Sequence, residues 1–159
     1  MDTNKMIIDQ LIAGWNGKVK QANQLFDKLG PNYADREIVP GGNSVIYLIG
    51  HLTAVNDQML EAMELSDRLY PELDELFLKP YDAQKTYMSY AEVREKWDTI
   101  NAVLSRGFSE LTVAQWLSRH HYVSDQDFIK EPNRNVLNIL ISRALHLANH
   151  LGQVILVKL

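Results

Sequence analysis

Four long segments of the 159-residue chain repeat apolar side chains every three or four positions, and this period restricts the fold to packed helices. The first segment, residues 6–29, ends at Gly30-Pro31, and its apolar stripe comprises Ile7, Leu11, Trp15, Val19, Ala22, Leu25, Phe26 and Leu29. No alternating run is long enough for a sheet, and no internal repeat is visible. We therefore predict an all-α bundle of four principal helices.

The second helix is predicted over about residues 44–64. It follows residues 31–42, where two prolines and the pair Gly41-Gly42 favour a connecting loop. Asn43 or Ser44 is the candidate N-cap. At 100° per residue, His51 falls within the apolar arc of this helix.

A long, partly helical connection is predicted over residues 65–89, because the period is poor there and two prolines interrupt it. Such a connection can cross a bundle from end to end. Ser89 and Glu92 then have the spacing of a capping box, and Arg106-Gly107 is the predicted end of the third helix. A short helical turn is predicted within residues 109–119.

The last helix is predicted to start near Asn133 or Asn135 and to run almost to the C-terminus, with an unusually wide apolar arc that we expect to be covered on more than one side. This arc and the apolar residues 154–159 favour burial of part of the helix in a homodimer. Three tryptophans on apolar stripes are expected in the core: Trp15, Trp97 and Trp116.

Composition narrows the functional classes. The length and the 46% hydrophobic content suit a single domain over residues 1–159. A net charge of -4 without clustered basic residues argues against a nucleic-acid partner. The chain has no cysteine, which excludes disulfides, thiolate nucleophiles and Cys-ligated zinc.

The N-terminal sequence is interrupted by charged residues and lacks the apolar run of a signal peptide. No apolar run approaches the roughly 18 residues of a membrane span. We therefore expect a cytoplasmic protein without a membrane partner.

Two histidines on the last helix, His146 and His150, are four residues apart. Side chains at this spacing have Cβ atoms about 5–6 Å apart, so both imidazoles can reach one ion. His51 would complete a three-histidine site with open coordination positions, the arrangement of catalytic metal sites. The alternatives are a solvated pair, beside the polar Asn149 and Gln153, and a hydrogen-bonded core histidine at position 51.

Several polar side chains could support such a site. Gln153 could hold a ligand ring or a water, or lie on the surface. Gln58 and Tyr47 are interpreted mainly as packing residues. Arg143, one turn before His146, could attract an anionic carboxylate, although arginine on an exposed helix more often pairs with solvent or an acid.

Other polar residues are assigned away from the site. Asp57 and Glu61 lie on the polar arc of the second helix and are expected to be solvated. The adjacent His120 and His121 point in different directions, and we expect them to complement the dipole at a helix C-terminus.

Two motifs together resemble the DinB-like superfamily of DNA-damage-inducible proteins over almost the whole chain. They are Gly50-His51-Leu52 early in the second helix and His146-x-x-x-His150-Leu-Gly-Gln in the last, which matches the family ending H-x-G-Q. The resemblance implies a four-helix bundle with long crossover connections. It also implies a divalent-metal site, usually described with nickel or zinc, whose ligands here are His51, His146 and His150.

Relatives of that superfamily include bacillithiol- or mycothiol-dependent S-transferases, a mycothiol-dependent isomerase and metal-dependent hydrolases. The resemblance thus implies an enzyme that activates a thiol or water against a small-molecule substrate, with the thiol supplied by a low-molecular-weight cofactor. The alternatives are a non-catalytic, stress-related metal-binding protein and a helical bundle whose histidines bind nothing. The sequence does not indicate the substrate.

Overall fold

The structure, a computed structural model, describes residues 2–157, and within them the chain forms seven helices. They are α1 (Thr3–Leu29), α2 (Val45–Ala62), α3 (Leu73–Phe77), α4 (Tyr90–Glu110), α5 (Val113–Trp116), α6 (Asp125–Lys130) and α7 (Val136–Val154). The same residues contain no β-strand, only two isolated bridges. The predicted all-α fold is confirmed.

The four longest helices, α1, α2, α4 and α7, form the bundle. Helix α2 packs against α4 and α7, and α1 packs against the same two helices, so α1 and α2 are diagonal partners. Helices α1 and α4 are antiparallel, because Trp15 contacts Phe108 while Phe26 contacts Trp97, with ring centroids 6.2 and 5.5 Å apart. Because α1 and α2 are diagonal partners, the connection over residues 30–44 passes from one corner of the bundle to the opposite corner.

Helices α2 and α4 run parallel. Asn56 Nδ2 in α2 donates to Asn101 Oδ1 in α4 at 3.1 Å, and Leu65, just after α2, lies against Gly107 near the end of α4. The segment between these helices must therefore return along the bundle. It contains α3, which packs on α2. This segment contains the long, partly helical connection predicted over residues 65–89.

Side-chain caps begin three of the main helices close to their predicted positions. Ser44, Ser89 and Asn135 each accept a hydrogen bond from the backbone N–H three residues later, at 3.3, 3.3 and 2.9 Å. The capping box at Ser89 is complete. Helix α1 begins earlier than predicted, at Thr3, because the Asp2 carboxylate caps it.

The predicted end of the third helix at Arg106-Gly107 is wrong. Helix α4 continues to Glu110. A Cβ on Gly107 would lie 2.8 Å from Leu65 Cδ1, so this glycine permits close packing and does not terminate the helix. The predicted turn within residues 109–119 contains α5, whereas α6 was not predicted.

Burial is concentrated on α2 and not on the last helix. Fifteen of the 18 residues of α2 are buried, against five of the 19 in α7. Helix α2 is covered by α3, α4 and α7, whereas α7 leaves Leu145 68% exposed. The wide apolar arc of the last helix is thus only partly covered, and of the apolar C-terminal residues 154–159, the last two lie outside the described part.

The core is aromatic on the side of α1 and α4. Trp15, Trp97 and Trp116 are buried there, as predicted. In the part of the chain that the structure describes, none of the helices combines the length and the apolar character needed to cross a bilayer.

Candidate metal centre

The structure brings together the three histidines that the sequence singled out. His51 comes from the first half of α2, and His146 and His150 come from the second half of α7. The Nε2 atom of His146 lies 3.2 Å from that of His51 and 3.0 Å from that of His150. All three side chains are half-buried.

These separations fit one shared cation. Two nitrogens that each lie about 2.0–2.1 Å from an ion are about 2.8–3.0 Å apart at a right angle and about 3.3–3.4 Å apart at the tetrahedral angle. The observed 3.0 and 3.2 Å fall between these values. Imidazole nitrogen is also a donor that suits zinc, nickel, copper and iron, so the donor set fits a divalent transition metal.

The orientation of His51 is set by a contact outside its own helix. Its Nδ1–H donates to the backbone carbonyl of Phe77 at 2.9 Å. A carbonyl can only accept, so the proton is on Nδ1 and the lone pair of Nε2 points to the other two histidines. The ring of Tyr47 stacks on His51, with centroids 6.2 Å apart.

Gly50 allows that contact to form. A Cβ at this position would lie 2.2 Å from Cε1 of Phe77, so only glycine lets α3 approach α2 this closely. The sequence does not indicate the part played by Phe77, because the group that contacts His51 is a backbone carbonyl. The available signal was the glycine itself, since glycine inside an apolar helix costs about 1 kcal/mol and therefore suggests a packing reason.

His150 is oriented within its own helix. Its Nδ1 lies 3.0 Å from Oε1 of Gln153, in the next turn of α7. With the amide oxygen as acceptor, Nδ1 carries the proton and Nε2 again faces the centre. The contact is the one proposed for Gln153 from the sequence.

The surroundings keep His51 and His146 neutral. Burial lowers the pKa of His146 to about 4, with further lowering by His150, His51 and Arg143. Burial likewise lowers the pKa of His51, although its hydrogen bond to Phe77 partly opposes the shift. Because a metal binds the unprotonated nitrogen, these two side chains are ready to coordinate at neutral pH.

Two polar residues near His51 serve the fold. The Tyr47 hydroxyl donates to the carbonyl of Lys79 at 2.6 Å, and Gln58 adds to the lowering of the pKa of Asp74 that Arg68 mainly causes. Both are packing residues, as interpreted from the sequence.

The expectation that Asp57 is solvated is wrong. Its side chain is 0% exposed, and its carboxylate accepts hydrogen bonds from the backbone amides of Leu69 and Tyr70 and from Nε of Arg68. The connection after α2 folds across this polar face and supplies the donors. Glu61 is also engaged, since it accepts a hydrogen bond from the hydroxyl of Tyr122.

His120 and His121 do not join the centre. His120 is buried, its Nδ1 accepts from the amide of Tyr122 at 3.3 Å, and burial lowers its pKa. The expected cationic role at a helix end is therefore wrong for His120. His121 is exposed, and its Nδ1 lies 3.8 Å from Oε1 of Glu64.

A family model for the DinB superfamily matches residues 19–154, which is most of the chain. The chain belongs to the DinB superfamily. The match includes all three clustered histidines and Gln153, so the residues that form the centre lie inside the DinB region. No protein of curated function matches the chain. The three-histidine cluster fits a metal-binding member of this superfamily.

Proposed function

We propose that this DinB-superfamily protein is a metal-dependent enzyme. It binds one divalent ion, nickel or zinc, through the Nε2 atoms of His51, His146 and His150. It then uses the ion to catalyse thiol transfer to, or hydrolysis of, a small electrophilic substrate. The observation that carries the proposal is the convergence of three histidine Nε2 atoms. In His51 and His150, the other ring nitrogen, Nδ1, donates its proton to an oxygen acceptor, so that Nε2 is free to bind an ion.

The protein supplies orientation and a partly dry environment. Phe77 and Gln153 hold His51 and His150 in the tautomer that presents Nε2, and burial keeps His51 and His146 unprotonated. Three protein ligands leave coordination positions open, which distinguishes catalytic from structural sites. When bound, a divalent ion supplies Lewis acidity, which lowers the pKa of a thiol or water so that it is ionised near neutral pH.

The chemistry is the same for the two nucleophiles. In transfer, the thiol sulfur forms a bond to the electrophilic carbon, the leaving group departs with its bonding pair, and the thiol proton passes to the leaving group or to solvent. In hydrolysis, water takes the place of the thiol. Because the chain has no cysteine, the thiol is a diffusible cofactor of low molecular weight, of the bacillithiol or mycothiol kind.

Elemental analysis of untagged protein purified without chelator tests the metal. We expect about one nickel or zinc ion per chain in the parent protein, and its loss in His51→Ala and His146→Ala. His121→Ala is the matched control, because that histidine is exposed and outside the centre, and it should retain the metal. A parent protein without metal, even after nickel or zinc is added, would refute the proposal.

Turnover is tested separately with the loaded protein and panels of thiol-transfer and hydrolysis substrates. Activity that is lost in His146→Ala and retained in His121→Ala supports the enzyme. Stoichiometric metal without turnover on any substrate class would favour the non-catalytic metal-binding alternative.

We also propose that the protein is a homodimer that uses the uncovered part of α7. Leu145 and, after the helix, Ile155 and Leu156 are exposed apolar residues. Light scattering should give the mass of two chains, and the mass of one chain would contradict this proposal.

A further inference from the structure

Arg143 lies on the same face of α7 as two of the proposed ligands. It precedes His146 by three residues and His150 by seven, the spacing of neighbours along one side of a helix. Its side chain is half-buried, unlike that of the exposed Leu145. The guanidinium therefore lies beside the histidine centre.

The guanidinium of Arg143 has no partner. Within residues 2–157 it makes neither a hydrogen bond nor an ion pair. Two other half-buried arginines behave differently: Arg68 pairs with Asp57 and Asp74, and Arg94 pairs with Asp27. A partly desolvated charge without a counter-charge is unfavourable in a fold, which suggests that the partner of Arg143 is a ligand.

The groups around Arg143 do not neutralise it. It interacts electrostatically with Tyr122, His51 and His146. The Tyr122 hydroxyl donates to Glu61, and burial together with Glu61 raises the pKa of Tyr122 to about 12, so the phenol is uncharged at neutral pH. The two histidines are neutral at that pH. A bound divalent ion would make this region more cationic still.

We infer that Arg143 binds a carboxylate carried by the substrate or by the thiol cofactor, whose reacting group lies at the histidine centre. The inference rests on the proposed function, and it names an anionic ligand class for that site. The planar guanidinium presents a fork of N–H donors that matches the two oxygens of a carboxylate. Arg143 thereby selects anionic over neutral ligands of the same shape.

Two matched thiols test the inference in the cobalt-loaded protein, where thiolate binding is read from the absorption spectrum. They are 3-mercaptopropionate, which carries a carboxylate, and 2-mercaptoethanol, which carries a hydroxyl in its place. The parent should bind the carboxylated thiol about tenfold to a hundredfold more tightly, the range expected for hydrogen bonds to a charged group. Arg143→Gln should remove this preference without changing the affinity for 2-mercaptoethanol, and Arg143→Lys should retain part of it.

Arg134→Gln is the matched control. It removes the same charge just before α7, at a residue whose Nε lies 3.9 Å from Oε2 of Glu131, and it should preserve the preference of the parent. A preference that survives in Arg143→Gln, or is absent from a parent protein that binds both thiols, overturns the inference while leaving the proposed metal site intact.

A metal-free measurement separates this inference from the proposed function. Propionate should shift the Nε–Hε resonance of Arg143 in a nitrogen-15 NMR spectrum, in which the peak is assigned by its loss in Arg143→Lys. The Nε–Hε peak of Arg134 should not move. A selective shift in a protein that binds no metal supports the carboxylate site although the metal proposal fails, and no shift at saturating propionate counts against Arg143.

Discussion

The two helices that supply the histidines hold them in different ways. Helix α2 is buried on most sides, and the partner of His51, Phe77, is 26 residues away in the chain. Helix α7 is buried along one face, and the partner of His150, Gln153, is three residues away. One half of the centre thus depends on tertiary packing, whereas the other half depends on the local geometry of a helix.

We call His51 and its partner Phe77 the α2 half of the centre, and His146, His150 and Gln153 the α7 half. The α2 half depends on a series of contacts. Asp57 accepts hydrogen bonds from the chain that follows α2 and holds Arg68, which also binds Asp74 in α3. Helix α3 ends at Phe77, whose carbonyl orients His51. A substitution at Asp57 should therefore weaken metal binding indirectly, by displacing α3 and the Phe77 carbonyl. A substitution in α7 should affect metal binding without such intermediate contacts.

The largest effect is expected from Asp57→Ala. Removal of a buried carboxylate leaves its donors unpaired, and we expect a loss of about 3 kcal/mol in the free energy of unfolding, with weaker metal binding. Urea denaturation and metal titration measure the two effects. Asp67→Ala, at an exposed neighbour, should change little. A loss below about 1 kcal/mol in Asp57→Ala would show that the α2 half does not need this support.

Gly50→Ala should have the next largest effect. The added Cβ overlaps the Phe77 ring, and overpacking of this kind costs about 1–3 kcal/mol. Metal affinity should fall as the Phe77 carbonyl moves from His51. Gly152→Ala in α7 is the matched control, because a Cβ there meets nothing within 4 Å, and it should leave affinity unchanged. If Gly50→Ala and Gly152→Ala changed the metal affinity equally, the two halves would not differ in their dependence on tertiary packing.

Gln153→Ala tests the α7 half. Loss of the acceptor for His150 Nδ1–H should weaken metal binding about tenfold, as expected for a residue that orients a ligand. The stability of the metal-free protein should change by less than about 0.5 kcal/mol, because the residue is only half-buried. Gln153→Glu retains an acceptor oxygen and should restore the affinity. Isothermal titration of the three proteins decides the question.

The smallest effect concerns pH. The pKa of His146 is about 4 in the folded protein, against an ordinary value of 6.5, so the unfolded chain binds more protons between these values. The metal-free protein should lose stability as the pH falls below 6.5, on the order of 1 kcal/mol by pH 5, given the partial exposure of the ring. His146→Asn should show a shallower loss in urea denaturation with chelator. An identical slope would contradict the lowered pKa.

The contrast between the halves also explains what could be predicted from the sequence. The spacing of His146, His150 and Gln153 is a property of any helix, and α7 was predicted from its period and its cap. His51 could be placed on an apolar arc, but the acceptor at Phe77 is a backbone group whose position depends on the whole crossover. The sequence therefore signals only the close packing at Gly50, and not the group that accepts from His51.

Asp57 shows the same limit. Its position on the polar arc of α2 predicts a solvated side chain, and the helix itself gives no other indication. The chain after α2 covers that arc with backbone amides, which any sequence possesses. Caps and apolar periods were therefore predictable, whereas burial beneath an irregular segment was not.

The distance along the chain between the two halves has a consequence for folding. His51 and His146 are 95 residues apart, in a chain without disulfides. An ion held by both would act as a reversible cross-link that only a completely folded chain can close. At a free concentration of 100 times the dissociation constant, such an ion would stabilise the native state by about 2.7 kcal/mol. Because the fold would then open less often, proteolysis within the segment between α2 and α4 should slow when the ion binds.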